Sequence, residues 1–122
     1  DGEVPGAILR LGFGSVEVGT VTPLPQAGNP KPRLARLTHD AALINRMGFN
    51  NHGFGDLKRR LSGSSFAGVL GVNIGANKLS RDRVADYVAG VEAFAGTADY
   101  LAINVSSPCH DGRRTQNPDS NM

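Results

Sequence analysis

A chain of 122 residues and 12.8 kDa, 39% hydrophobic and 20% charged, is the size of one ordinary folded domain. Thirteen Lys and Arg against 11 Asp and Glu leave a formal charge of +2, too slight a balance for nucleic-acid binding despite a sequence pI near 9.0. A single cysteine, Cys109, excludes an internal disulfide or multi-cysteine metal centre and fits a reducing compartment, and no apolar run approaches the roughly 20 residues of a membrane span.

Residues 2–11 end in Ile8, Leu9 and Leu11 with Gly12 beyond them, the pattern of a helix tail and its C-terminal glycine. Residues 15–22 (SVEVGTVT) are β-branched and bounded by Gly14 and Pro23, which predicts a strand. Residues 23–36 carry Pro23, Pro25, Pro30 and Pro32, so they read as a stiff loop. The spacing then predicts one helical turn over 41–46, a turn-rich stretch over 50–55 and a short helix over 56–61, closed by Ser62 and Gly63. Residues 68–75 (GVLGVNIG) form a continuous apolar run of strand length, the mark of a strand buried on both faces in a parallel sheet. Ser80 is the expected cap of a helix carrying Val84, Tyr87, Val88, Val91 and Phe94 at helical spacing, and residues 100–105 (YLAINV) predict a further strand. The first residue is Asp1 and the polar 115–122 stretch closes without an element, so the sequence reads as an excerpt of a longer protein.

Strands alternating with helices predict an α/β protein. Asn73 and Asn104 are separated by roughly 30 residues, the length of one β/α unit of a barrel, whereas the longer interval from Thr20 to Asn73 implies an insertion. Polar residues recur at the C-terminal ends of three successive predicted strands: Thr20 with Thr22, then Asn73, then Asn104 with Ser106 and Ser107. In parallel α/β folds that end is where sites are built; the alternative is that these residues satisfy loop backbone. Residues 45–51 (NRMGFNN) pack three asparagines, an arginine and a glycine together. Asparagine amides suit a planar ligand with alternating N–H and C=O groups, although Asn and Gly also suit a plain turn. Ser107 lacks a Gly-x-Ser-x-Gly setting, which argues against a hydrolase. His39, His52 and His110 lack zinc-site spacing, so no metal is expected. Gly12 and Gly14 precede a strand, the wrong context for a dinucleotide loop.

Four runs, 12–34 (GFGSVEVGTVTPLPQAGNPKPRL), 44–51 (INRMGFNN), 71–75 (GVNIG) and 98–108 (ADYLAINVSSP), closely resemble the class 2, quinone-dependent dihydroorotate dehydrogenases. The resemblance implies a fragment of an FMN-binding (β/α)8 TIM barrel, roughly strands two to four with their helices, with residues 1–108 inside that domain and 109–122 a divergent polar tail. It implies oxidation of dihydroorotate to orotate in pyrimidine biosynthesis, with electrons passed to a membrane quinone. Carried over by position, Thr20, Asn73 and Asn104 match flavin contacts, Asn45, Arg46, Met47, Gly48 and Phe49 match the substrate-binding stretch, and Asn104 also matches a substrate contact. Ser107 matches the catalytic base, which takes a proton from a substrate carbon while the flavin receives hydride from its neighbour. Another FMN barrel reductase, or a noncatalytic remnant of the fold, are the rival readings. Cys109 stands where the family has a substrate-binding Asn, and offers only a weak S–H donor there. The family's Gly-Phe-Asp-Lys segment is expected just upstream of Asp1. Peripheral membrane association is expected through a segment further upstream, at the cytoplasmic face of a bacterial membrane or at the inner mitochondrial membrane.

Overall fold

The structure, a computed structural model, describes residues 2–105. Helix α1 (Pro5–Arg10) leads into strand β1 (Ser15–Val21), and a hairpin of β2 (Leu34–Leu37) and β3 (Ala42–Asn45) follows. Helix α2 (Gly53–Leu61), strand β4 (Val69–Ile74), helix α3 (Arg83–Phe94) and strand β5 (Tyr100–Ile103) complete the order. The strands β1, β4 and β5 form one parallel sheet in that order, with β4 in the middle. The small parallel sheet and the mixed α/β order agree with the sequence reading.

One face of the sheet is apolar. Val18 and Val21 of β1 and Leu70, Val72 and Ile74 of β4 are buried against Phe54, Leu57 and Leu61 of α2 and Phe94 of α3. The Phe54 and Phe94 rings meet edge to face with centroids 5.4 Å apart. Each such side chain contributes about 1.5–3 kcal/mol on leaving water, so this helix-covered face holds the sheet together. The opposite face carries Glu17, Gly71 and Tyr100 in one register row across the three strands, with Asn73 one row further on.

Parity along β1 breaks at Thr20. Gly19 pairs with Asn73 and Val21 with Ile74, so Thr20 is an extra residue, a β-bulge. Gly19 sits at φ +120, and a Cβ there would collide with the Asn73 carbonyl. The bulge is what lets Val18 and Val21 both enter the core while Thr20 turns to the polar face.

Several expectations are corrected. Residues 41–46 do not form a helical turn: 42–45 are β3, paired antiparallel with β2 from Leu34↔Asn45 to Leu37↔Ala42. A single six-residue turn earns few hydrogen bonds for the dihedrals it fixes, whereas the turn ahead of it, with Ala41 at φ 49, returns the chain onto a partner strand. The same pairing takes Leu34 to Arg36 out of the expected loop. Helix α2 begins at Gly53 and not at 56, where the Asn51 side-chain oxygen accepts from Gly53 N at 2.8 Å and the Pro23 carbonyl from Phe54 N at 3.4 Å, partners for two of the first-turn N–H groups. The cap of α3 is Asp82, whose carboxylate accepts from Ala85 N at 2.9 Å, while the Ser80 hydroxyl donates to the Asp82 carbonyl. Gly90 and Phe94 are the α3 residues that bury against the sheet, and Val84, Val88 and Val91 are exposed.

Candidate functional site

The polar face gathers at the C-terminal ends of the three parallel strands. The Asn104 amide donates from Nδ2 to Thr20 Oγ1 at 3.2 Å, and the Thr20 hydroxyl donates to Asn73 Oδ1 at 2.7 Å. Asn73 Nδ2 in turn donates to Glu17 Oε1 at 2.9 Å. Thr20, Asn73 and Asn104, chosen from three separate stretches of sequence, therefore form one hydrogen-bonded chain running across the sheet. All three are half-buried. The Asn104 carbonyl accepts from the Tyr87 hydroxyl at 3.0 Å, which ties the end of β5 to α3.

Close approach of the backbone is built in beside this chain. A Cβ on Gly75 would lie 2.7 Å from Thr20 Cγ2, so Gly75 makes room for Thr20, and the Phe49 ring lies 3.8 Å from the same point. Phe49, with φ 53, thus flanks Gly75, and its carbonyl accepts from Asn51 Nδ2 at 2.8 Å.

The rest of the 45–49 stretch is held by its loop. Asn45 closes the β2–β3 hairpin opposite Leu34. Arg46 donates from Nε and Nη2 to the Pro32 carbonyl at 3.2 and 2.9 Å. The Met47 carbonyl accepts from Asn29 N at 3.0 Å, and the Gly48 carbonyl accepts from Gln26 Nε2 at 3.0 Å. Gly48 also lines a cavity of about 530 Å³ between the 23–28 and 77–80 loops, with Leu24, Lys78 and Asp86 on its walls. The structure thus places Phe49 beside Gly75, next to the strand ends that carry the Thr20–Asn73–Asn104 chain, and Asn45 and Arg46 on the hairpin and its exit. Ser107 and Cys109 lie outside the described residues.

Two asparagines set this loop geometry: Asn51, the last of the three in the 45–51 run, and Asn77, which the sequence reading does not single out. Asn51, only 8% exposed, accepts from Thr22 N and Gly53 N and donates to Thr22 Oγ1 and the Phe49 carbonyl. Asn77 accepts from Leu24 N and donates to the Leu24 carbonyl and Gln26 Oε1. Glu17 and Tyr100 were missed in the sequence as well. The Tyr100 hydroxyl donates to Glu17 Oε2 at 3.1 Å, and this bond to a carboxylate pushes the phenol above its ordinary pKa. The signal for Glu17 was strand alternation, since Glu17 shares a face with Ser15 and Gly19 and opposes Val16 and Val18.

A family model for dihydroorotate dehydrogenase matches residues 1–122. The chain belongs to the dihydroorotate dehydrogenase family. It is 62% identical over 113 residues to the dihydroorotate dehydrogenase (quinone) of Rhodopseudomonas palustris, covering 92% of this chain and 31% of that protein. The corresponding enzyme of Agrobacterium fabrum is 57% identical, with the same coverage. A crystal structure of DHODH from Eimeria tenella in complex with ferulenol superposes with a TM-score of 0.82 at 46% identity, covering 93% of this chain and 32% of that one. The chain spans about a third of the length of the curated relatives it matches. Among the described residues no helix is long and apolar enough to cross a membrane, and no group of acidic, His or Cys side chains could hold a metal ion.

Proposed function

We propose that the full-length protein oxidises dihydroorotate to orotate with bound FMN and a quinone as acceptor, in de novo pyrimidine synthesis, and that this chain supplies the face on which flavin and substrate meet. The observation that carries the proposal is the hydrogen-bonded Thr20–Asn73–Asn104 chain at the strand ends, in a chain 62% identical to a quinone-named dihydroorotate dehydrogenase. The β1–β4–β5 sheet with α2 and α3 on its apolar face corresponds to strands two to four of a (β/α)8 barrel, whose remaining strands lie in the rest of the protein. Residues 1–108 belong to that barrel domain and 109–122 diverge from it.

The residues present fit a flavin. Two asparagine amides and a hydroxyl on one half-buried face match the alternating N–H and C=O edge of a flat heterocycle, and the Phe49 ring beside Gly75 supplies an apolar wall. FMN, when bound, supplies a two-electron acceptor for the substrate's hydride and a relay to the quinone. Thr20, Asn73 and Asn104 hold and orient it, while Asn45, Arg46, Met47, Gly48 and Phe49, with Asn104, hold the substrate. Ser107 takes the proton from the neighbouring substrate carbon. Association with a membrane, at the cytoplasmic face in a bacterium or the inner membrane in a mitochondrion, belongs to a segment upstream of this chain.

The test is stopped-flow flavin reduction by dihydroorotate in the full-length protein. Ser107→Ala is expected to slow it by about 10²- to 10⁴-fold, with substrate affinity changed far less. A variant that retains its flavin and is reduced at the parent rate removes Ser107 from the mechanism. A full-length enzyme that uses fumarate or NAD and ignores quinones overturns the acceptor assignment.

A further inference from the structure

The amide oxygen and nitrogen of an asparagine occupy nearly the same space, so which of them points where is decided by the partners on each side. At Asn73 those partners are unequal. On one side stands the Thr20 hydroxyl, which can donate or accept; on the other stands Glu17, whose ionised carboxylate can only accept. The carboxylate is itself held at both oxygens. Oε1 takes the Asn73 Nδ2 proton at 2.9 Å, and Oε2 takes the Tyr100 hydroxyl proton at 3.1 Å. Tyr100 reaches Glu17 across the whole width of β4 because the residue between them in the register row is Gly71, where any Cβ would overlap the Tyr100 ring.

From this geometry we infer that Glu17 is a positioning residue of the flavin site, fixing the Asn73 amide and with it the direction of the Asn104–Thr20–Asn73 hydrogen-bond chain. The inference rests on the flavin reading above. With Asn73 Nδ2 bound to Glu17, Oδ1 must face Thr20, the Thr20 hydroxyl must donate to it, and the Thr20 lone pair is then presented to Asn104 Nδ2. Reversing the amide would set Oδ1 against the carboxylate, two acceptors facing one another, and would bring two donors onto Thr20 Oγ1. A charged acceptor makes a hydrogen bond roughly twice as strong as a neutral one, so a single carboxylate suffices to choose the direction of the whole chain. Glu17 acts through Asn73 and needs no contact with flavin.

The experiment is titration of the full-length apoprotein with FMN, following flavin fluorescence, for a set of variants. Glu17→Ala is expected to weaken FMN binding about 10- to 100-fold, the range for outer partners that orient a contacting group. Glu17→Gln, which keeps the shape and a neutral acceptor, is expected to recover about half of that loss on a logarithmic scale. The readout specific to positioning is a reversal of sign. Asn73→Asp sets two carboxylates against each other, and adding Glu17→Gln in that background restores a donor opposite the new acceptor and strengthens FMN binding, although the same change weakens it in the parent. Parent-like FMN affinity in Glu17→Ala, or an equal weakening by Glu17→Gln in both backgrounds, overturns the inference. A parent apoprotein that takes up no FMN refutes the flavin reading itself, and the inference falls with it.

Discussion

Two glycine-to-alanine changes within helices should shift stability in opposite directions. Removing a helical glycine reduces the freedom of the unfolded chain and favours alanine by about 0.8–1 kcal/mol. At Gly55 of α2, an added Cβ meets nothing within 4 Å, so Gly55→Ala is expected to keep that gain. At Gly90 of α3 the Cβ would lie 2.8 Å from Ile74 Cδ1, 3.0 Å from Phe54 Cζ and 3.2 Å from Ile74 Cβ. The first is the free end of a side chain and yields cheaply. The other two do not, because Ile74 Cβ is fixed to the central strand and the Phe54 ring is wedged edge-on against Phe94. Overpacking of this kind costs about 1–3 kcal/mol, and turning the Phe54 ring forfeits some of the roughly 0.5–1.5 kcal/mol of the aromatic pair. Gly90→Ala is therefore expected to destabilise by about 1–2 kcal/mol net of the helix gain. Urea unfolding of the full-length protein, monitored by circular dichroism, reads both. A Gly90→Ala protein as stable as its parent would refute the close helix-to-sheet approach that places α3 over β4.

Asn51→Ala strands Thr22 N and Gly53 N without their acceptor, and a loss of about 2–3 kcal/mol is expected in the same unfolding assay, since each orphaned buried group costs about 1–3 kcal/mol. Tyr100 has its pKa raised by the bond to Glu17, so its protonated form is favoured on folding: that contribution is complete below about pH 10 and is lost as pH rises through the higher folded value. Ultraviolet titration of tyrosinate should show one tyrosine moving down toward the ordinary range in Glu17→Gln, and no movement would contradict the pairing. The 122-residue chain by itself is expected not to retain FMN, because among the described residues β1 and β5 are the unpaired outer strands of the sheet; a bound-flavin absorption band in the purified chain would contradict this.

Legibility in the sequence followed the range of the interaction. The strands 15–22 and 68–75 were visible because β-branched and apolar runs report burial directly, and the C-terminal placement of Thr20, Asn73 and Asn104 followed from strand direction alone. The hairpin was not visible. Leu34 and Leu43 belong to segments whose local spacing is compatible with loop or helix, and only their mutual pairing makes them strands. Ser80 and Asp82 both qualify as caps by composition, and the choice fell to whichever side chain meets a free N–H. Glu17 and Tyr100 are too far apart in the chain for any local pattern to join them, and the empty space over Gly71 that lets them meet is set by register between three strands. The loop-organising part of Asn51, which the sequence offers only as one of three asparagines in a run, and of Asn77 is hidden for a different reason: an asparagine in a loop is ordinary, and its value lies in how many backbone groups converge on it.

The polar chain has a history in time as well as a geometry. Thr20 and Asn104 are 84 positions apart, so at 5–20 residues per second Thr20 is made about 4 to 17 s before the partner that donates to it. The hairpin of β2 and β3, by contrast, closes within about 1–10 μs of its own completion. During synthesis β1 thus waits for β4, the later-made neighbour it pairs with, while the intervening hairpin is already formed. The bulge at Thr20 breaks the regular pairing row that β1 offers to β4, so the kink that aims Thr20 at its site also narrows the registers in which another strand could add there while β4 is awaited.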